Sequence, residues 1–198
     1  MEVPGYSDLE KIGRGNFGMV YKGIAQKDEK WYAIKQLYQS PNGINKIEPL
    51  MALQKSGHDH IVMFNPGFDH DRLWLVMDFF PLGNMNDFLL QPQNIIHTRL
   101  FMTQIADAVY FLHREGIEHG DLKPDNIMVS GTAQNPIAKV ADFGLAKACR
   151  HSFFESWRSK WYWSPEVFKR FNSLYTKESD IYSMGAMFAA MVDRTTVR

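Results

Sequence analysis

The amino-acid sequence predicts an α+β fold in two lobes, the first of antiparallel strands with one helix and the second mainly helical. Three observations predict it. The first third is a series of short β-branched and aromatic runs separated by glycine-rich or polar turns. After Pro81 the apolar spacing changes from strand-like to helical. Between the two textures lies "DFFPLGN" (78–84), which has the composition of a connector.

Taken in order, "YSDLEKIG" and "GMVYKGIA" read as strands around a glycine-rich turn, and "KWYAIKQLY" follows the polar turn "QKDE". "INKIEPLMALQKS" has the spacing of a short helix. Because proline is tolerated only in a helix's first turn, Pro49 places Glu48 at or near the helix N-terminus. "HIVMFNPGF" and "RLWLVMDFF" read as two more strands, with "FNPGFDHD" as the turn between them. Beyond the connector, "NMNDFLL" and "IIHTRLFMTQIADAVYFLHREG" are helical. Leu100, Ile105, Val109 and Leu112 mark the apolar stripe of the second, and Gly116 stands where a C-cap is expected. No repeat or low-complexity tract interrupts the chain.

Composition narrows the class. The 198 residues are enough for one or two domains with an apolar core. Lys plus Arg and Asp plus Glu both number 22, so no global charge advertises nucleic acid or a membrane surface. The single cysteine, Cys149, forms no internal disulfide and fits a reducing compartment. The N-terminus lacks a basic segment followed by an apolar one, and the longest apolar runs, "LWLVMDFF" and "YSMGAMFAAMV", are too short to span a bilayer. A soluble intracellular protein, nuclear or cytoplasmic, is expected.

The chemistry-bearing residues fall in separate stretches. Gly13, Gly15 and Gly18 form a G-x-G-x-x-G, which elsewhere opens dinucleotide-binding units. Such units run directly into a helix, whereas "MVYKGIA" reads as a second strand. A glycine hairpin can lie over phosphates because its backbone approaches closely without Cβ atoms. Lys35, at the end of "YAIK", can hold phosphates as a point charge, and Glu48 is the only carboxylate between Glu29 and Asp59 able to orient it. Then "EHGDLKPDNIMVS" (118–130) packs His119, Asp121, Lys123, Asp125 and Asn126 ahead of a strand-like run, and "ADFG" carries Asp142. The pair His58 and His60 lacks a third ligand, which argues against a metal there.

Seven motifs in order, "GRGNFGMV", "YAIK", "LVMDFF", "HGDLKPDN", "ADFG", "SPE" and "SDIYSMG", resemble a eukaryotic-type protein kinase from Tyr6 to Arg198. The resemblance implies a bilobal kinase-like fold with an N-lobe at 6–77, a hinge at 78–81 and an incomplete C-lobe at 82–198. It implies ATP and Mg²⁺ as cofactors and protein substrates as partners. Asp121 would orient the substrate hydroxyl, Lys123 would neutralise the γ-phosphate, and Asn126 and Asp142 would hold Mg²⁺. The nucleotide would meet Ile12, Gly13, Arg14, Gly15, Asn16, Phe17, Gly18, Val20, Ala33, Lys35, Met77, Asp78, Phe80, Asn84 and Met128. Within that set Val20, Ala33 and Met128 would sandwich adenine, Met77 would be the gatekeeper and Asn84 would lie near the ribose. His119 and Phe143 look like members of an internal apolar spine, and Asp180 like the buried acid that ties down the catalytic loop. "LKPDN" and Ser159 resemble serine/threonine kinases, and the finer texture is similar to the PDZ-LIM-interacting kinase-like group.

Two departures from the family pattern stand out. Gly120 replaces the arginine that usually binds an activation-loop phosphate, which suggests activity independent of that switch. The sequence also ends at Arg198, soon after Asp180, where the family continues through further helices. The apolar face of "YSMGAMFAAMV" then calls for a partner. A catalytically weak pseudokinase or scaffold fragment is one alternative. A small-molecule phosphotransferase of the aminoglycoside-kinase type, whose loop often reads "HGD", is another.

Overall fold

A computed structural model describes residues 3–15, 17–37, 43–69, 72–145, 160–169 and 176–193. They fall into two compact units, with the chain passing from the first to the second at Phe79–Phe80; residues 57–62 also group with the second.

The first unit is a five-stranded sheet and a helix. Strands β1 (Tyr6–Gly15), β2 (Gly18–Ala25), β3 (Trp31–Leu37), β4 (Phe64–Asp69) and β5 (Arg72–Asp78) stand in the order β1-β2-β3-β5-β4, every neighbour antiparallel. One face buries Ile34, Trp74 and Val76 with Val3, and Tyr6, Leu9, Tyr21 and Tyr32 pack around them. Alternation along β3 and β5 puts these residues on one side of the pleat. Gly18 is required by the close pairing of β2 with β3, since a Cβ there would lie 2.0 Å from the Gln36 carbonyl oxygen.

Two expectations for this unit are corrected. Asn65, Pro66 and Gly67 belong to β4, paired with Val76, Leu75 and Trp74, rather than to a turn. β4 is an edge strand, where proline forfeits no interior ladder bond. The residues before it, read as strand, pair elsewhere: Val62 donates its N–H to the Val140 carbonyl at 2.9 Å. The helix α1 spans Gly43–Gln54, so Glu48 and Pro49 lie in its interior and not at its N-terminus. Proline there costs the helix one hydrogen bond. The apolar row Ile47, Leu50 and Leu53, all buried, supplies the packing that keeps the helix.

The second unit is built on α3 (Thr98–Arg114), entered through the short helix α2 (Met85–Leu89) and a 3₁₀ segment (Pro92–His97). Phe101, Ile105, Ala108, Val109 and Leu112 form the buried stripe of α3. Leu100, expected in that stripe, is 44% exposed; Phe101, one position and about 100° further round, takes its place. α3 ends in a Schellman motif. Ile117 N–H bonds the Leu112 carbonyl, Gly116 N–H bonds that of His113, and Gly116 takes φ +75°. α3 packs on the hairpin of β6 (Ile127–Gly131) and β7 (Pro136–Val140), and on α5 (Lys177–Asp193). A short helix α4 covers Pro165–Lys169. No described helix is long and apolar enough to cross a membrane.

Gly116 and Gly131 have nearly the same positive φ, +75° and +78°, in different surroundings. A Cβ at 116 meets nothing within 4 Å, whereas one at 131 would lie 2.4 Å from the Asn135 carbonyl oxygen. Gly116→Ala should therefore cost about 1 kcal/mol, the left-handed strain alone. Gly131→Ala should cost at least about 2 kcal/mol, because the hairpin turn must also move. Urea unfolding of both variants checks the difference; equal losses would contradict it.

Candidate active site

In the first unit the glycine turn and Lys35 come together. Gly15 pairs with Gly18 across β1 and β2, closing a tight hairpin whose Phe17 is buried; Asn16 lies outside the described residues. Lys35 pairs with Val20 on one side and Leu75 on the other, and only 2% of it is exposed. Its ammonium lies 5.4 Å from the Phe17 ring centroid and 3.9 Å from where a Gly15 Cβ would be. A Cβ at 15 would meet the cation only at ordinary van der Waals distance, and its absence lets the backbone approach a ligand closely. Ala33 is buried opposite Met77, while Ile12, Arg14 and Asp78 are exposed. Glu48 is exposed on α1, whereas Lys35 is buried on β3.

In the second unit the β6–β7 hairpin does the assembling. Ile127 pairs with Val140, so Asn126 and Ala141 flank the same end of the hairpin, and Ala141 N–H bonds the Asn126 carbonyl at 2.8 Å. The register therefore brings the loop of Asp121 beside Asp142, although "DN" and "DFG" are far apart in sequence. Asp121 Oδ2 accepts from Lys123 Nζ at 2.7 Å and from Asn126 Nδ2 at 3.1 Å. Asn126 Nδ2 also bonds the Asp121 carbonyl at 2.7 Å. Asp142 is half-buried with φ +60°, a conformation that costs a non-glycine residue strain. Phe143 is buried beside it in sequence. Met128 bridges Asn84, whose side-chain oxygen caps α2 by accepting from Asp87 N–H at 3.0 Å. Phe80 is buried.

Behind the loop lies Asp180. Its Oδ2 accepts from His119 N–H at 2.7 Å and its Oδ1 from Gly120 N–H at 2.9 Å. His113 Nε2 adds a third contact at 2.9 Å. Burial alone would raise the Asp180 carboxyl, but these hydrogen bonds outweigh it and hold the group below its ordinary value. Gly120 has φ +79°, which glycine adopts without the strain an arginine would pay. α5 presents Asp180 in register because Thr176 and Ser179 cap the helix reciprocally, each N–H bonding the other's hydroxyl. The His119 side chain is fully buried and accepts from Asp121 N–H through Nδ1 at 3.2 Å. Burial pushes its imidazole down, against the pull of the Asp180, Asp121 and Asp142 carboxylates.

The structure adds two residues on which sequence reasoning has no handle, His113 and Asn86. His113 reads as an ordinary basic residue in a last helical turn. Asn86 Nδ2 bonds Asp125 Oδ2 at 3.1 Å, tying α2 to the catalytic loop. His58 and His60 serve packing: His58 stacks on Phe111 at 4.7 Å, and His60 Nδ1 faces the Ala138 carbonyl at 3.2 Å. Ser159 lies outside the described residues.

Residues 6–197 match the family described as the protein kinase domain. The chain belongs to that family. The kinase domain is 32% identical over 209 residues to the serine/threonine-protein kinase ppk23 of Schizosaccharomyces pombe, a match covering 98% of this chain and 50% of the relative. It is also 32% identical over 205 residues to the serine/threonine-protein kinase ULK3 of Mus musculus and of Homo sapiens, covering 93% of this chain and 41% of each. The kinase domain thus spans half or less of the length of these curated relatives. None of the three carries the name of the PDZ-LIM-interacting group.

The two buried groups set opposite ends of the acid stability profile. His119 is held neutral in the fold and gains a proton on unfolding, so stability should fall as the pH drops below about 6.5. Asp180's share persists down to the ordinary carboxylate value, about 3.9, and is lost only below it. Thermal melts should show a shallower slope between pH 7 and 5 for His119→Gln. Asp180→Asn should lower stability at pH 7 by about 2–4 kcal/mol, since two buried N–H groups lose a charged acceptor.

Proposed function

We propose that this kinase domain transfers the γ-phosphoryl group of ATP to serine or threonine hydroxyls of protein substrates. One observation carries the reading: the β6–β7 register gathers Asp121, Lys123, Asn126 and Asp142 at one end of a hairpin, in a chain of the protein kinase domain family. The names of its relatives supply the serine/threonine class.

Asp121 is the proton acceptor in this account. The substrate hydroxyl oxygen forms the new bond to phosphorus, the bond from phosphorus to the β-phosphate oxygen breaks, and the hydroxyl proton passes to the Asp121 carboxylate. Asn126, bonded to both the Asp121 carboxylate and its backbone carbonyl, fixes that carboxylate's orientation. Lys123 supplies positive charge beside it. Asn126 and Asp142 offer the hard oxygen donors that suit Mg²⁺, which when bound neutralises phosphate charge. Lys35 and the Cβ-free hairpin at Gly15 suit phosphate oxygens. Glu48, on α1, orients Lys35. We place the protein in the nucleus or cytoplasm on its single cysteine. Ile181, Tyr182 and Val192, exposed on α5, form the face a partner covers.

Asp121→Asn should lower the rate of phosphate transfer to a generic basic protein by roughly 10²–10⁴-fold while leaving ATP binding intact. Lys35→Met should lower it as well, and equal turnover in all three proteins would refute the reading. With Gly120 in place of a phosphate-binding arginine, alanine at Ser152 and Ser156, both outside the described residues, should leave turnover unchanged. A phosphate at either serine that proved essential would overturn that second point.

A further inference from the structure

In the first unit, a short segment ahead of β1 closes one face of the five-stranded sheet. Val3, Pro4, Gly5 and Tyr6 form a β-turn in which Tyr6 N–H bonds the Val3 carbonyl at 3.1 Å. Pro4 at its second position and Gly5 at its third, with φ +83°, are the residues a type II turn selects. The turn folds Val3 back onto the sheet, where it is 6% exposed in the cluster of Ile34, Trp74 and Val76. Gln26 N–H, just past β2, bonds the Gly5 carbonyl at 2.9 Å. Pro4 and Gly5 are themselves exposed, so Val3 is the anchor of this strap. Trp74, in the same cluster, adds an independent observation: its indole N–H is buried with no acceptor among the described residues.

We propose that this strap is a lever on nucleotide affinity: closed, it holds β3 and β5 in the shape that presents Lys35, and open, it weakens ATP binding. The inference rests on the reading above that this unit binds ATP. The pleat supplies the coupling. Ile34 and Val76 pair with each other in the cluster that Val3 completes, and their neighbours Ala33, Lys35 and Met77 point to the opposite face. The side chains that Val3 packs on therefore alternate, along the same two strands, with those expected to meet the nucleotide. Close-packed apolar clusters repack between discrete arrangements, so withdrawing Val3 shifts Ile34 and Val76, and the strands carry that shift to Lys35. The unpaired Trp74 donor makes the open state reachable. A buried donor without an acceptor is costly, so closure works against a penalty that opening relieves.

Titration of the full chain with the fluorescent analogue mant-ATP tests the coupling. Gly5→Val strains the turn without filling space, because a Cβ there meets nothing within 4 Å, and affinity should fall about threefold. Val3→Asp, which puts a charge in the cluster, should lower it about tenfold. Gly5→Asn, whose side chain tolerates positive φ, should stay within about twofold of the unmodified protein. Amide exchange gives the reciprocal reading: saturating nucleotide should slow the Tyr6 and Gln26 N–H groups of the unmodified protein. A strap that only adds stability would lower the melting temperature of the variants and leave the affinity of the folded protein unchanged, which would overturn the proposal. Exchange at both amides that ignores nucleotide would overturn it too. If the unmodified protein binds no mant-ATP, the ATP reading falls and this inference with it, whereas binding indifferent to Gly5→Val and Val3→Asp sinks this inference alone.

Discussion

Asp180 accepts hydrogen bonds from two consecutive backbone N–H groups, those of His119 and Gly120, and from the His113 ring. The rest of the site depends on that contact. A loop cannot supply its own backbone with partners as a helix or strand does, and buried N–H groups without acceptors are costly. Here one buried carboxylate supplies both acceptors, and each charge-assisted bond contributes on the order of 1.5–3 kcal/mol. The bonds also set a direction. With His119 and Gly120 fixed, Asp121 follows at a defined angle, and its N–H reaches back to His119 Nδ1.

From that anchor the site is completed by sheet register. The pairing of Ile127 with Val140 places Asn126 and Ala141 side by side, and Gly144 N–H bonds the His119 carbonyl at 3.1 Å. The segment carrying Asp142 is therefore held against the same loop at two points. A one-residue slip of the hairpin would turn Val129 and Ala138 out of the core and separate the carboxylates at the same time. Stability and the proposed catalysis thus place the same demand on β6 and β7. Gly120 fits this arrangement, since its positive φ is one that glycine adopts freely.

Much of this was legible in the sequence, and the failures have specific causes. The G-x-G-x-x-G reads correctly as a hairpin because strand-like residues follow it where a dinucleotide site would start a helix. α3 reads correctly as a helix, and Ile105, Val109 and Leu112 of its expected stripe are buried; only Leu100 gives way to Phe101, because both are apolar and periodicity alone does not choose between them. Pro66 and Gly67 look like turn residues, and only their place on an edge strand accommodates them. Pro49 misplaces the start of α1 because tertiary packing of Ile47, Leu50 and Leu53 outweighs one lost hydrogen bond. In the site, Asp121, Lys123 and Asn126 are visible as a local cluster. The role of His113 is not, because its partner lies 67 residues away and nothing in the local pattern marks it.

The central claim is that Asp180 fixes the catalytic loop through the His119 and Gly120 amides. Hydrogen exchange measured amide by amide tests it most directly. The account predicts that these two N–H groups, although they lie in a loop, exchange as slowly as the buried amides of α3, and that Asp180→Asn speeds them selectively. Exchange at the rate of an exposed loop in the unmodified protein would contradict it.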